Sequence, residues 1–348
     1  MAHVIVVDAA DPDPGAIAEA AALIRAGELV AFPTETVYGL GANALEPAAV
    51  AKIFTAKGRP ATNPVIVHVS SIEEARSLTV DWTPNAAKLA ARFWPGPLTL
   101  VVKKAASVPE IVTAGGDTVA LRVPDHGVAL ALLKASGVPV AAPSANRSTE
   151  LSPTRAEHVV KSLADRIPLI LDGGPCRGGI ESTVVDATGE RVRILRPGLI
   201  DAATITTVLD AVETITEGGI ARSPGQMERH YSPKTPLYLA HYDDETRLIG
   251  LHADWGITAR FIHELTPALG PAKYAAILYE TLHRYDGQWD SLIVAMPPDR
   301  PEWQAIRDRL ARAAVREGLV EPRPEGFAQG SAEPAEIIIP CPTISPAL

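Results

Sequence analysis

The sequence predicts an α/β fold: a twisted mixed sheet with packed helices, followed by a smaller C-terminal α/β Rossmann-like unit. Three observations carry this. Short β-branched runs alternate with alanine-rich segments of helical period through residues 1–215. The strands so counted are too many for one plain doubly wound sheet, and some are joined by gaps short enough for hairpins. A stretch dense in glycine and proline at 216–236 then interrupts the rhythm before it resumes.

Taken in order, a helix at 16–26 precedes a strand at 29–32, and a second helix covers 47–55. A strand at 65–69 leads to a helix at 72–78, where Ser71 followed by Glu74 forms a capping-box pattern. A helix at 85–93 and strands at 98–102 and 119–123 come next. A helix at 128–135 and a strand at 138–141 follow them. The helix at 155–163 is expected to take Thr154, after Pro153, as its cap. A strand at 169–171 precedes a pair at 183–186 and 192–195, which reads as a hairpin around Thr188-Gly189-Glu190. Beyond the break, 236–241 and 291–295 read as strands. Ala275, Leu278, Leu282 and Tyr285 fall at helical spacing, as do Ile306, Leu310 and Ala313. The residues from Pro322 onward read as an irregular tail.

A chain of 348 residues accommodates two domains, here 1–215 and 237–348, with 216–236 between them. Hydrophobic residues at 47% against 21% charged exclude a disordered class. The formal net charge of −9 argues against bulk neutralisation of nucleic-acid phosphates. Cys176 and Cys341, far apart, form neither a disulfide framework nor a metal-ligand set. Neither a signal-peptide pattern nor an apolar stretch of about 20 residues is found, so a soluble, cytoplasmic protein is expected.

The chemistry concentrates at predicted strand ends. Pro33-Thr34-Glu35-Thr36-Val37-Tyr38-Gly39-Leu40-Gly41 directly follows the strand at 29–32, and a cap with a turn fits the same residues. Lys57-Gly58-Arg59-Pro60 offers a phosphate a point charge and a guanidinium fork. A solvated helix end, where cations favour the dipole, fits it too. Ser144-Ala145-Asn146 lies past the carboxyl end of an apolar run, where open α/β sheets bind ligands. A turn capped by asparagine is the alternative there. His68, inside a strand, reads first as a core residue. Arg122, inside a strand as apolar as Val119-Ala120-Leu121-Arg122-Val123, needs an anionic partner, whether a ligand or a protein carboxylate. A phosphate-binding ATPase loop and a dinucleotide fingerprint are both lacking. Nor does a nucleophile stand beside a base, so the groups present suit an enzyme that positions charged substrates. His230 and Tyr231 would be superfluous in a plain spacer, so the 216–236 segment is expected to touch a ligand.

Together these clusters resemble the YrdC-like family. The order Pro33–Gly41, Lys57-Gly58-Arg59-Pro60 with Asn63-Pro64, Trp94-Pro95-Gly96-Pro97-Leu98-Thr99, Ser144-Ala145-Asn146, Glu181-Ser182-Thr183 and Arg196-Pro197-Gly198 is that family's. With Ser223-Pro224-Gly225-Gln226 and His230-Tyr231-Ser232-Pro233 downstream, the whole chain resembles the long form of L-threonylcarbamoyladenylate synthase. The resemblance implies a YrdC-like catalytic domain, a ligand-contacting linker and a C-terminal domain. It implies synthesis of threonylcarbamoyl-AMP and pyrophosphate from ATP, L-threonine and bicarbonate or CO2. Mg2+ would accompany the ATP, and the product would pass to proteins that modify tRNA beside the anticodon. By the same resemblance Lys57, Arg59, Ser144 and Asn146 are the catalytic quartet. Thr36, His68, Arg122, Ala142 and Ser182 would line the threonine site. Arg59, Asn63, Thr118, Ser144, Ser152, Arg196 and His230 would line the nucleotide site. No membrane contact and no strong direct tRNA binding are expected. The rival readings are a carbamoyl-adenylate-forming protein of hydrogenase maturation, an RNA-binding or translation-associated module without catalysis, and a threonine or nucleotide sensor. Two cysteines cannot build the zinc fingers of the first, and the acidic charge counts against the second.

Overall fold

The computed structural model describes residues 2–209, 212–214, 231–240 and 258–315. Among them twelve strands form one mixed sheet: β1 (His3–Val6), β2 (Val30–Phe32), β3 (Gly39–Asn43), β4 (Ile66–His68), β5 (Thr79–Asp81), β6 (Leu98–Lys104), β7 (Thr118–Arg122), β8 (Val140–Ala141), β9 (Leu169–Asp172), β10 (Thr183–Asp186), β11 (Arg193–Arg196) and β12 (Glu213–Thr214). Their spatial order is β1-β9-β2-β3-β8-β4-β7-β6-β10-β11-β12, with β5 beside β6. The helices are α1 (Pro14–Arg25), α2 (Pro47–Lys57), α3 (Ile72–Ser77), α4 (Pro84–Phe93), α5 (Glu110–Thr113), α6 (Gly127–Ser136), α7 (Ala156–Leu163) and α8 (Ala202–Thr206). A second, parallel sheet orders β13 (Leu237–Ala240), β15 (Ser291–Ala295) and β14 (Ala259–Phe261). Against it lie α9 (Pro271–Tyr285) and α10 (Gln304–Ala313).

Strand alternation decides where the core forms. On β2, β8 and β9, Val30, Phe32, Val140, Leu169 and Leu171 face α1 and α6, while Ala31, Ala141 and Ile170 join the larger cluster on the opposite face. Both faces of the sheet are therefore covered, and its central strands are mainly apolar, with His68 and Arg122 at the ends of β4 and β7 as buried exceptions. Helix α1 starts where Asp13 accepts a hydrogen bond from the Ala16 N–H at 2.7 Å and Pro14 occupies the first turn. Helix α3 has the expected cap: Ser71 Oγ accepts from the Glu74 N–H at 3.1 Å. Glu74 in return accepts from Ser70, one residue earlier than the simple box requires.

The hairpin of β10 with β11 is antiparallel as expected. Three local expectations fail. Gly39–Asn43 is a strand because β2 and β8 pair with it on both sides, overriding glycine's low strand propensity. The strand expected at 138–141 is confined to Val140–Ala141, since Pro139 has no N–H to give a ladder. Thr154 does not cap α7, whose N-cap is Arg155 without a side-chain hydrogen bond. The Thr154 hydroxyl instead faces His158 Nδ1 at 3.4 Å.

The two sheets meet through an apolar cluster that joins Val37, Leu151, Ile180 and Tyr231 to α9 and α10. At Gly179 (φ 74°) a Cβ would stand 2.2 Å from the Ala275 carbonyl of α9, so only glycine permits this approach. Residues 216–230, His241, the tail from Pro322 and Cys341 lie outside the described residues. No described helix is long and apolar enough to cross a membrane.

Candidate active site

Loops at the strand ends converge on one pocket, whose empty space, open mouth included, is about 510 Å³. The turn after β2 supplies Thr34, Thr36 and Val37, and β3 begins at Gly39. β4 supplies Ile66 and His68, β7 ends at Arg122, and the loop after β8 supplies Ala142, Pro143 and Ser144. Glu181 and Ser182 enter just before β10, Arg196 ends β11, and Arg59 follows α2. Tyr231 closes the lining.

Short-range hydrogen bonds set the Thr34–Val37 turn. Thr34 Oγ1 donates to the Val37 carbonyl at 2.7 Å and lies 2.8 Å from Thr36 Oγ1, which accepts from Arg122 Nη2 at 2.9 Å. Arg122 meets its anionic partner in Glu35: Nη2 is 2.8 Å from Oε2, with both residues buried. Among the described residues neither Glu35 oxygen has a hydrogen bond of good geometry, so the pair is held by charge. His68 packs edge-on to Phe32 and is pushed down to about 3, first by burial and then by the Arg122 charge. It is a neutral imidazole whose Nδ1 lacks a hydrogen-bond partner among the described residues.

Gly58, left-handed at φ 61°, ends α2 and sends its neighbours apart. Lys57 turns into the protein. Its Nζ donates to the Ser144 carbonyl at 2.6 Å and also to the Asn146 carbonyl. Burial, then Arg59, holds its ammonium well below the ordinary lysine range. Arg59 reaches the pocket, its Nη2 donating to the Pro64 carbonyl at 2.9 Å. Burial leads in lowering its guanidinium to about 10, Tyr231 opposes that and Arg196 adds to it; Nε lacks a hydrogen-bond partner among the described residues. Arg196 donates to the Ser182 carbonyl at 2.9 Å through Nη2, and Ser182 Oγ is 2.8 Å from Thr99 Oγ1.

Of the residues singled out in the sequence, Thr36, Arg59, His68, Arg122, Ala142, Ser144, Ser182 and Arg196 share this lining. Lys57 and Asn146 stand behind it, tied to each other and to Ser144. Asn63 stands behind Arg59, which approaches its carbonyl at 3.4 Å. Ser152 lies behind Glu181, donating to Oε1 at 2.5 Å. Thr118 sits at the far end of β7 from Arg122, opposite Lys103, outside the lining. His230 lies outside the described residues, and Tyr231 beside it lines the pocket. Glu181 was not picked out as a site residue. Its signal was its place beside Ser182 in a strand-end motif. Burial raises the Glu181 carboxyl, but Arg309 and then Arg196 overcome this and hold it down at about 2.

The arrangement suits an anion that also presents hydroxyl or amino groups. Glu35 balances Arg122 and Arg309 balances Glu181. Arg59 and Arg196 add positive charge to a largely buried cleft, where charge acts through a low dielectric.

A family model for Sua5, YciO and YrdC, described as "Telomere recombination", matches residues 22–198. A second, "Threonylcarbamoyl-AMP synthase, C-terminal domain", matches residues 200–315. A threonylcarbamoyl-AMP synthase of Bacillus subtilis is 42% identical over 86% of this chain and 92% of its own. One of Pyrococcus abyssi is 49% identical over 63% of this chain and 66% of its own. The crystal structure of P. abyssi Sua5 complexed with L-threonine superposes with a TM-score of 0.84 at 38% identity, covering 90% of this chain and 97% of that one.

Proposed function

The chain belongs to the Sua5-type threonylcarbamoyl-AMP synthase family, and from that premise we propose that its pocket condenses L-threonine, bicarbonate or CO2, and ATP into threonylcarbamoyl-AMP. The product serves the threonylcarbamoyladenosine modification of tRNA, to which other proteins carry it. The observation that carries this reading is one cleft lined together by the hydroxyls of Thr34, Thr36 and Ser182, by Arg122, and by Arg59 and Arg196.

Thr36, His68, Arg122, the Ala142 backbone and Ser182 are assigned to threonine. The amino-acid carboxylate would share the Arg122 guanidinium with Glu35, and neutral His68 offers a nitrogen without charge. Arg59, Ser144 and Arg196 are assigned to ATP at first hand, with Asn63, Ser152, Thr118 and His230 as supporting members. Lys57 and Asn146 complete the catalytic quartet by fixing the backbone that presents Ser144.

The threonine amine adds to bicarbonate with loss of water, or to CO2 with loss of a proton, to give a carbamate. A carbamate oxygen then attacks the α-phosphorus, and the bond to pyrophosphate breaks. Negative charge grows on the leaving oxygens, where Arg59 and Arg196 offset it; positioning and electrostatics do the rest. No covalent enzyme intermediate is required. Cys176, buried and with its thiol pushed up by that burial, takes no part.

Magnesium does not find a cage here. The described residues hold no cluster of three His, Cys, Asp or Glu, and Glu35 and Glu181 are each committed to an arginine. Any Mg2+ is assigned to the nucleotide's phosphates and water, as that ion prefers.

Mass spectrometry of the products from ATP, L-threonine and labelled bicarbonate tests the reading. The expected species is AMP carrying a labelled threonylcarbamoyl group, with one pyrophosphate released per adduct. ATP consumption that ignores threonine would sink it.

A further inference from the structure

The turn between β2 and β3 carries a hydroxyl with no assigned part in that mechanism. Thr34 is buried, lines the same cleft and stands two residues before Thr36. Proton counting fixes how the two hydroxyls are arranged. Thr34 Oγ1 lies 2.7 Å from the Val37 carbonyl, which can only accept, so the one hydroxyl proton of Thr34 is spent there. The same oxygen lies 2.8 Å from Thr36 Oγ1, and the donor of that bond must then be Thr36. The backbone N–H groups of Thr36 and Val37 also point at Thr34 Oγ1, from 3.2 and 3.3 Å, and hold it as an acceptor. Thr36 Oγ1 in turn accepts from Arg122 Nη2 at 2.9 Å. The protons therefore run one way, from Arg122 through Thr36 and Thr34 to the Val37 carbonyl, and each bond of such a chain strengthens the next. A hydroxyl has one proton and two acceptor positions. In Thr36 the proton and one acceptor position are taken, so it offers a ligand one lone pair and no donor.

Resting on the synthase reading, we propose that Thr34 is a positioning residue for the amino-acid substrate. It fixes Thr36 as an acceptor, so Thr36 receives a donor group of the substrate, its amino group or its hydroxyl, and is closed to its carboxylate. The carboxylate, which can only accept, is thereby turned to the Arg122 guanidinium. The substrate then has one way round in the cleft, with its amine held for attack on the one-carbon acid. Were the Thr34 hydroxyl lost, the Thr36 proton would have no partner in the turn and would face the cleft, where it opposes the substrate's own donors. The bond from Arg122 to Thr36 does not need Thr34, so the carboxylate partner would stay in place.

Calorimetric titration of full-length protein with L-threonine and, separately, with ATP tests this. Thr34→Val keeps the shape and removes the hydroxyl. It is expected to weaken L-threonine about tenfold, while ATP affinity stays within about twofold. Thr34→Ser keeps the hydroxyl and should hold L-threonine within about twofold of wild type. In a Thr36→Val background, Thr34→Val should weaken L-threonine no further, because its effect passes through Thr36. A role confined to the shape of the turn would add its full cost there. Unchanged L-threonine affinity in Thr34→Val, additive losses in the double variant, or a loss that Thr34→Ser shares overturns the proposal. Should Thr34→Val fail to fold, Thr34→Ser and Thr34→Cys decide. Sulfur is a weak acceptor, so Thr34→Cys should bind L-threonine several-fold more weakly than Thr34→Ser, and equal affinity refutes the role. If wild type binds L-threonine yet makes no threonylcarbamoyl-AMP, the synthase reading alone falls, and the titrations still decide on Thr34.

Discussion

Lys57 and Arg59, two residues apart, were legible as a pair of cations and illegible as two different devices. A clamp on phosphate and a helix end near the dipole both fitted Lys57-Gly58-Arg59. Elements of each hold. Lys57 does end α2, yet it is buried, and its ammonium serves carbonyls of the Ser144–Asn146 loop instead of solvent. No local pattern could reveal that, because its partners lie 87 and 89 positions away. The two side chains should therefore respond oppositely to removal. Lys57→Met leaves buried carbonyls unpaired and is expected to cost about 1–3 kcal/mol of stability, with synthesis falling as the Ser144 loop shifts. Arg59→Met removes a buried charge whose partners among the described residues are carbonyls alone, so its melting temperature should hold or rise while ATP-dependent pyrophosphate release is nearly abolished. Thermal melts beside a pyrophosphate assay separate the two. Equal destabilisation by both would show that Arg59 is a structural residue.

At the level of elements, periodicity located the long helices and central strands, because burial on a sheet face imposes a period the sequence must keep. The elements that escaped lack such a period. β1, β5 and β14 are short strands, and two of them expose Val4, Val6 and Val80. Glycine-rich β3 is a strand by virtue of its neighbours. The contact of the Gly173–Gly179 loop with α9 was equally hidden. The sequence has four glycines between 173 and 179, but nothing in it marks Gly179 as the point where a helix of the other sheet comes down on the loop. Arg309 did carry a signal, a cation on the buried stripe of Ile306, Leu310 and Ala313, which demands a buried anion somewhere. Gly179→Ala is expected to cost about 2 kcal/mol or more, through both the positive φ and the collision with the Ala275 carbonyl. Because that contact lies beside Glu181, ATP affinity should weaken along with stability. Urea unfolding followed by an ATP titration of the folded variant checks both, and a neutral Gly179→Ala would mean that α9 does not press on this loop.

Across the whole molecule, the junction of the two sheets contains a pair of histidines with a predictable response to acid. His158 of α7 and His283 of α9 stack with ring centres 3.8 Å apart. Burial, then the neighbouring His158, pushes His283 down to about 3. Burial also lowers His158 to about 4, with Glu157 and Glu280 opposing and Arg155 and Lys161 reinforcing the shift. The ordinary value of both is 6.5, so below that pH the unfolded chain takes up protons that the folded chain refuses. Stability must then fall as the pH is lowered from 6.5 towards 4, and it is fully retained above 6.5. The paired carboxylate Glu181 acts in a separate window. Its value is lowered from 4.5 to about 2, so its contribution is lost only as the pH falls below 4.5. Measurements between pH 7 and pH 5 therefore separate the histidines from Glu181. His68, also held down to about 3, acts in the same window. The pair is read from the difference between wild type and a variant that keeps His68, about 1–2 kcal/mol for each stacked ring by pH 5. The double variant His158→Phe, His283→Gln keeps a ring at one position and a donor to the Ser152 carbonyl at the other. It should show a flatter stability profile over that range in urea titrations. ATP affinity should follow the same profile in the wild type, because Ser152, held from behind by His283, in turn holds Glu181. A wild-type profile as flat as the variant's would mean that the stacked pair titrates normally and does not hold the two sheets together.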